Sequence, residues 1–143
     1  IDSVSGWHDQ GAQHFDFKAY QIYFRKFRMP KKEKRWVILS EFGGYSMPVK
    51  GHMQMPHKIF GYKIFRDEKT LRESIDKLYT REVVPAIGQG LCASVYTQLS
   101  DVENEQNGLV TYDRKELKAD PDMLAALNAE MCAVAAGAGA GKR

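Results

Sequence analysis

A carboxylate that closes a short apolar run, with two glycines just beyond it, is the feature of this sequence best suited to chemistry. The stretch is Trp36-Val37-Ile38-Leu39-Ser40-Glu41-Phe42-Gly43-Gly44-Tyr45. The run from Trp36 to Leu39 suits a strand buried on both faces. Paired glycines let the backbone turn sharply after it, so Glu41 is expected at the mouth of a strand rather than inside a sheet. In barrels of parallel strands and helices, the carboxyl ends of the strands carry the reacting groups. A solvated glutamate that only ends a strand is the competing reading.

Other chemistry-bearing residues offer weaker patterns. His52 and His57 are five apart with Pro56 between them, which is not a helical metal pair, and neither reads as a metal ligand. Cys92 and Cys132 have no CxxC spacing and nothing supports a bridge between them; Cys92, in an apolar run, reads as a small core residue. Residues 25–35 hold seven Lys or Arg against Glu33 alone. Such a cluster can grip phosphate. With no matching basic face elsewhere and a net charge of only +3, it reads as a solvated connection, and nucleic acid is not an expected partner. Gly141-Lys142 is not a phosphate loop, because no strand precedes it and no helix follows.

The elements that must position Glu41 follow from periodicity. Residues 16–24 carry the β-branched and aromatic content of a strand, with a short helix as the alternative. Residues 42–66, rich in Gly, Pro and aromatics, form a long loop of the kind that is usually functional. Asp67 caps a helix whose apolar face is Leu71, Ile75, Leu78 and Tyr79, and Pro85 ends or kinks it. Leu91 to Thr97 is a second strand of the buried kind, with Gln98, Asp101, Glu103, Asn104 and Glu105 at its carboxyl end. Asp120-Pro121 opens a last helix with the stripe Leu124, Leu127, Met131 and Val134. The chain divides into a domain over 1–136 and a flexible Gly/Ala tail over 137–143.

That order is α/β with a parallel sheet. A closed (β/α)8 barrel needs about 250 residues, so 143 residues with three strands and a strand stub ending near Trp7 are expected to be a slice of one. No run approaches the roughly 18 apolar residues of a membrane span, and no membrane partner is expected. The opening Ile1-Asp2-Ser3-Val4 lacks both halves of a signal peptide and does not start with Met, which suggests a processed or excised piece.

Ser5-Gly6-Trp7, Asp16 through Tyr23, Leu39-Ser40-Glu41-Phe42-Gly43-Gly44, Tyr96-Thr97-Gln98-Leu99-Ser100-Asp101-Val102-Glu103 and Asn107 through Arg114 occur in that order. Over residues 1–118 the chain resembles the carboxyl-terminal half of the catalytic barrel of glycoside hydrolase family 2, the β-galactosidase, β-glucuronidase and β-mannosidase family. The resemblance implies the end of barrel strand five through helix eight, from a larger protein. It implies a retaining hydrolase of terminal β-linked sugars in which Glu41 is the nucleophile, with no cofactor and no metal. Tyr23 matches the tyrosine of a His-x-Tyr pattern on the sixth strand, while Gln21 stands where that pattern has His. Tyr96 and Gln98 would floor the sugar site; Trp7 and His52 are further contacts or packing residues. The partner acid/base glutamate would lie upstream of Ile1, and Asn104-Glu105 reads as a chance match to its Asn-Glu signature. Carbohydrate is the expected ligand, and the rest of the barrel or a second copy the expected protein partner. A non-catalytic carbohydrate-binding or interaction module that keeps the half-barrel is the alternative.

Overall fold

The computed structural model describes residues 16–140. Its centre is a three-stranded parallel sheet in the order β1-β2-β5, from β1 (Phe17–Ile22), β2 (Trp36–Gly43) and β5 (Leu91–Thr97). Between β2 and β5 lie a two-residue parallel pair, β3 (Tyr45–Ser46) with β4 (Lys63–Ile64), and the helical segment that crosses back over the sheet. The architecture is mixed α/β with a small parallel sheet.

β2 is the middle strand, and its side chains at Val37, Leu39 and Phe42 are buried. They meet Leu71, Ile75, Tyr79 and Val83 from the helical layer in one core. The helical layer begins at α1 (Glu68–Leu78), where the Asp67 side chain accepts from Thr70 N at 2.9 Å and satisfies one of the first-turn amides. The regular α-helix stops at Leu78, ahead of Pro85, but the helical segment goes on. The backbone widens to π-helical turns over Tyr79–Val83 and resumes as α2 (Val84–Gly88), with Pro85 in the first turn of α2, where its missing N–H is tolerated. The last helix, α3 (Pro121–Ala140), starts where expected, with Asp120 accepting from Asp122 N and Met123 N. It buries Met123 and Leu127, packs against α2, and runs on through Gly137 and Gly139 to Ala140, beyond the expected limit at 136.

Two strand readings need correction. β2 continues to Gly43, so Glu41 lies inside the sheet, two residues short of the strand's end. β5 is not of the buried kind: Cys92, Ala93 and Val95 are exposed, and Cys92 is no core residue. The reason is sheet order, since β5 pairs only with β2 and stands at an edge among the described strands.

Candidate active site

Glu41 owes its orientation to an irregularity in β2. Between β1 and β2 the register jumps from Tyr20 opposite Leu39 to Gln21 opposite Glu41, so Ser40 is the extra residue of a bulge. Its hydroxyl donates to Tyr20 O at 3.0 Å. The pairing with β5 shifts over the same stretch, from Leu39 opposite Ser94 to Phe42 opposite Tyr96. Bulges of this kind re-aim a side chain next to a functional site. Here the bulge brings Gln21 and Glu41 abreast.

The half-buried Glu41 carboxylate receives two side-chain donors. Gln21 Nε2 donates to Oε1 at 3.0 Å, and the Tyr23 hydroxyl donates to Oε2. Thr97 Oγ1, at the end of β5 and 3.4 Å from the Tyr23 oxygen, is placed to donate to that phenol in turn. Burial, reinforced by the bond to Glu41, pushes the Tyr23 phenol well above its ordinary value. It therefore stays protonated through the neutral range and remains a donor. Hydrogen bonds to an ionised group favour the charged form, so these donors suit a carboxylate that must act as an anion.

An aromatic wall stands beside this carboxylate. Tyr23 stacks on Tyr62 with ring centroids 3.7 Å apart and planes 4° from parallel. Tyr62 also meets Phe24 and Phe60 edge-on at 5.4 and 5.5 Å. Gly44 makes this possible: its φ is +62°, and a side chain there would run into the rings of both Tyr62 and Tyr23. Tyr23 and Tyr62 are half-buried and cover each other's faces, while Phe24 and Phe60 at the outer end of the wall are exposed.

The remaining expected contacts are distributed differently. Tyr96 is opposite Phe42, one residue out of phase with Glu41, and packs against Phe42 and Tyr79 on the core side of the sheet. Burial raises its phenol strongly. It floors the core and not the Glu41 site, because alternate residues of a strand face opposite ways. Gln98 turns its amide to Asn107 Oδ1 at 2.7 Å and Glu105 Oε2 at 3.3 Å, and Asn107 Nδ2 reaches the same Glu105 oxygen at 3.4 Å. Glu105 is thus held by two amides, outside the hydrogen-bond network of Glu41. His52 pairs with Asp113, Nδ1 to Oδ2 at 2.9 Å, and not with Glu41. Trp7 lies outside the described residues.

Sequence reasoning missed Thr97 and Tyr62. Thr97 is the last residue of β5, one position before the polar stretch that starts at Gln98. Tyr62 was one aromatic among several in a long loop, and only the β3–β4 pairing shows which one folds back on Tyr23. Among the described residues no group of three or more His, Cys, Asp or Glu is arranged to hold a metal ion, and no helix is long and apolar enough to cross a membrane. The arrangement can supply one oriented, solvated-on-one-side carboxylate as nucleophile, base or hydroxyl acceptor. A retaining pair needs a second carboxyl about 5–5.5 Å away, and among the described residues no other carboxylate shares the Glu41 hydrogen bonds. No family model matches the chain, and no curated protein matches it significantly.

Proposed function

We propose that this chain is the carboxyl-terminal half of a (β/α)8 barrel from a retaining glycoside hydrolase acting on terminal β-linked sugars, with Glu41 as its nucleophile. The observation that carries the reading is the paired donation of Gln21 and Tyr23 to one carboxylate near the carboxyl end of the middle parallel strand. A nucleophilic glutamate must be ionised and aimed. Donors at the end of β1 and just beyond it serve both needs, and the Tyr23 phenol, pushed up by burial and by its bond to Glu41, keeps its proton and remains a donor.

In the reaction a Glu41 oxygen attacks the anomeric carbon as the glycosidic oxygen leaves with a proton from the second carboxyl group. Water, activated by that same group, then cleaves the glycosyl ester and returns Glu41 to its starting state. The second group belongs to the upstream half of the barrel in this reading. In this reading turnover belongs to the assembled barrel, completed by the rest of the parent protein or by a second copy.

Replacing Glu41 by Ala in the full-length enzyme tests the assignment. Turnover of an activated aryl glycoside should fall to background, and azide should restore it with formation of a glycosyl azide of inverted configuration. A non-catalytic carbohydrate-binding module is the second reading, favoured by the absence of a second carboxylate from the Glu41 network among the described residues. It requires no turnover by the unaltered protein and undiminished oligosaccharide binding by Glu41→Gln.

A further inference from the structure

A second carboxylate is fixed by neutral donors near the first, and the chemistry above leaves it unused. Glu105 lies half-buried in the loop after β5. Among the described residues it forms no ion pair, whereas Asp101, Asp113 and Asp120 are matched by Lys118, His52 and Arg72. Its Oε2 accepts from Gln98 Nε2 at 3.3 Å and from Asn107 Nδ2 at 3.4 Å, and no described residue donates to its Oε1. Asn107 is the base of this arrangement: it is fully buried, and its Oδ1 accepts from the same Gln98 amide at 2.7 Å. Backbone bonds from Gln98 N to Asn107 O at 3.1 Å and from Leu109 N to Gln98 O at 3.0 Å lock the two segments together. Amide donors favour the charged form of the carboxylate without cancelling its charge. Gln21 and Tyr23 make the same provision for Glu41.

Two routes lead from Glu41 to Glu105, and both start at Tyr23, whose hydroxyl donates to Glu41. Along the first, Tyr23 stacks on Tyr62, and Tyr62 meets the ring of Phe60 at 5.5 Å. Phe60 is bridged to Glu105 through the backbone, with Phe60 N donating to Asn104 O at 2.8 Å and Gln106 N to Phe60 O at 3.2 Å. Along the second, Thr97 Oγ1 lies 3.4 Å from the Tyr23 oxygen, and the next residue, Gln98, is the one that holds Glu105. Tyr62 responds to both charges. Burial raises its phenol, its bond with Tyr23 opposes the rise, and the carboxylates of Glu105 and Glu41 add to it. One half-buried tyrosine therefore stands within the fields of two carboxylates, and neither has a counter-cation among the described residues.

We infer that Glu105 is a second substrate contact, accepting from a hydroxyl group of the sugar held at Glu41 and restricting that sugar to one without a carboxylate of its own. The inference rests on reading Glu41 as the site of glycoside attack, and it adds the substrate class: neutral hexosides and not uronides. An ionised carboxylate is an acceptor only, so its open oxygen is matched by a hydroxyl donor. A uronate would bring a third negative charge to a place where the first two are unneutralised, and like charges brought together reject a wrong partner strongly.

The test measures kcat/KM of the full-length protein on aryl β-glycosides matched in all but the C6 group, glucoside against glucuronide and galactoside against galacturonide. The unaltered protein should favour the neutral member of at least one pair by roughly a hundredfold. Glu105→Gln keeps the size of the side chain and an acceptor but removes the charge, and it should narrow that ratio by about tenfold or more, chiefly through KM. Glu103→Gln removes an exposed charge two residues away and should leave the ratio where it was. Circular dichroism checks that the variants fold. Should Glu105→Gln fail that check, Glu105→Asp, which draws the carboxylate back by one methylene, should raise KM for the neutral member. A preference for the uronides, a ratio that Glu105→Gln does not move, or one that Glu103→Gln moves as far, overturns the inference and leaves the hydrolase reading standing. If neither pair is turned over, the hydrolase reading falls, and binding of the matched methyl glycosides decides the contact. A preference for the neutral sugar that Glu105→Gln abolishes keeps it, and equal binding removes it.

Discussion

Two carboxylates in this molecule are each tied to a cation or to donors, and they are built for opposite ends. Asp101 is buried with Lys118, Oδ1 to Nζ at 2.6 Å, with each side chain only 1% exposed. The same ammonium donates to Gln106 O at 2.8 Å and to Met47 O at 3.2 Å, and Gly108 N donates to Asp101 Oδ1 at 2.8 Å. Burial pulls the Lys118 amine down and pushes the Asp101 carboxyl up, and their mutual attraction opposes both. The pair pins the loop after β5 to the segment after β3. Among the described residues Glu41 has no ion pair: it has neutral donors, a half-buried setting and a bulge that aims it. Charge that is enclosed and matched holds a fold together, whereas charge that is aimed and left accessible is available for reaction.

The largest effect expected from this contrast is on stability. Lys118→Met leaves Asp101 buried without its counter-charge, which should cost about 3–5 kcal/mol in urea unfolding. Glu41→Gln keeps an acceptor for Gln21 and Tyr23 and should change stability by less than about 1 kcal/mol. Equal losses in the two variants would erase the distinction. Next comes Tyr23→Phe, which retains the stack on Tyr62 but removes one hydrogen bond to a charged group, worth about 1.5–3 kcal/mol. It should slow reaction at Glu41 by on the order of ten- to a hundredfold and lower the melting temperature by several degrees.

A third carboxylate, Asp67, caps α1, and Asp67→Ala should lower the melting temperature less than Lys118→Met does, through the lost cap. The smallest effect concerns acid. The Thr111 hydroxyl, with His52 contributing less, lowers the Asp113 carboxyl to about 2. A carboxyl whose pKa is depressed on folding stabilises the fold above its unfolded value and loses that contribution as pH falls through the folded one. The melting temperature should therefore slip slightly between pH 4 and 2 on this account, and Asp113→Asn should flatten that slope.

Glu41 was legible because its setting is local: an apolar run, a carboxylate and two glycines follow one another in the chain. Asp67 and Asp120 were legible as caps for the same reason. What depends on strand phase was not. The bulge at Ser40 sets Gln21 abreast of Glu41, and it leaves Tyr96 in step with Phe42 on the core side, although Tyr96 and Gln98 look equivalent in sequence. Cys92 sits in a run that reads as buried, yet sheet order leaves it exposed. His52 and Asp113 are 61 residues apart, and no local pattern joins them. The π-helical turns stand directly before Pro85, and Tyr79 and Val83 within them are buried in the core, a local change of helix type that no single residue pattern announces.

Mass spectrometry of the full-length protein after treatment with a 2-deoxy-2-fluoro glycoside bearing a good leaving group tests the central claim most directly. The account predicts one covalent glycosyl adduct, located on Glu41, and its disappearance in Glu41→Gln. An adduct on a different carboxylate, or turnover of the parent glycoside with Glu41 never modified, would contradict it.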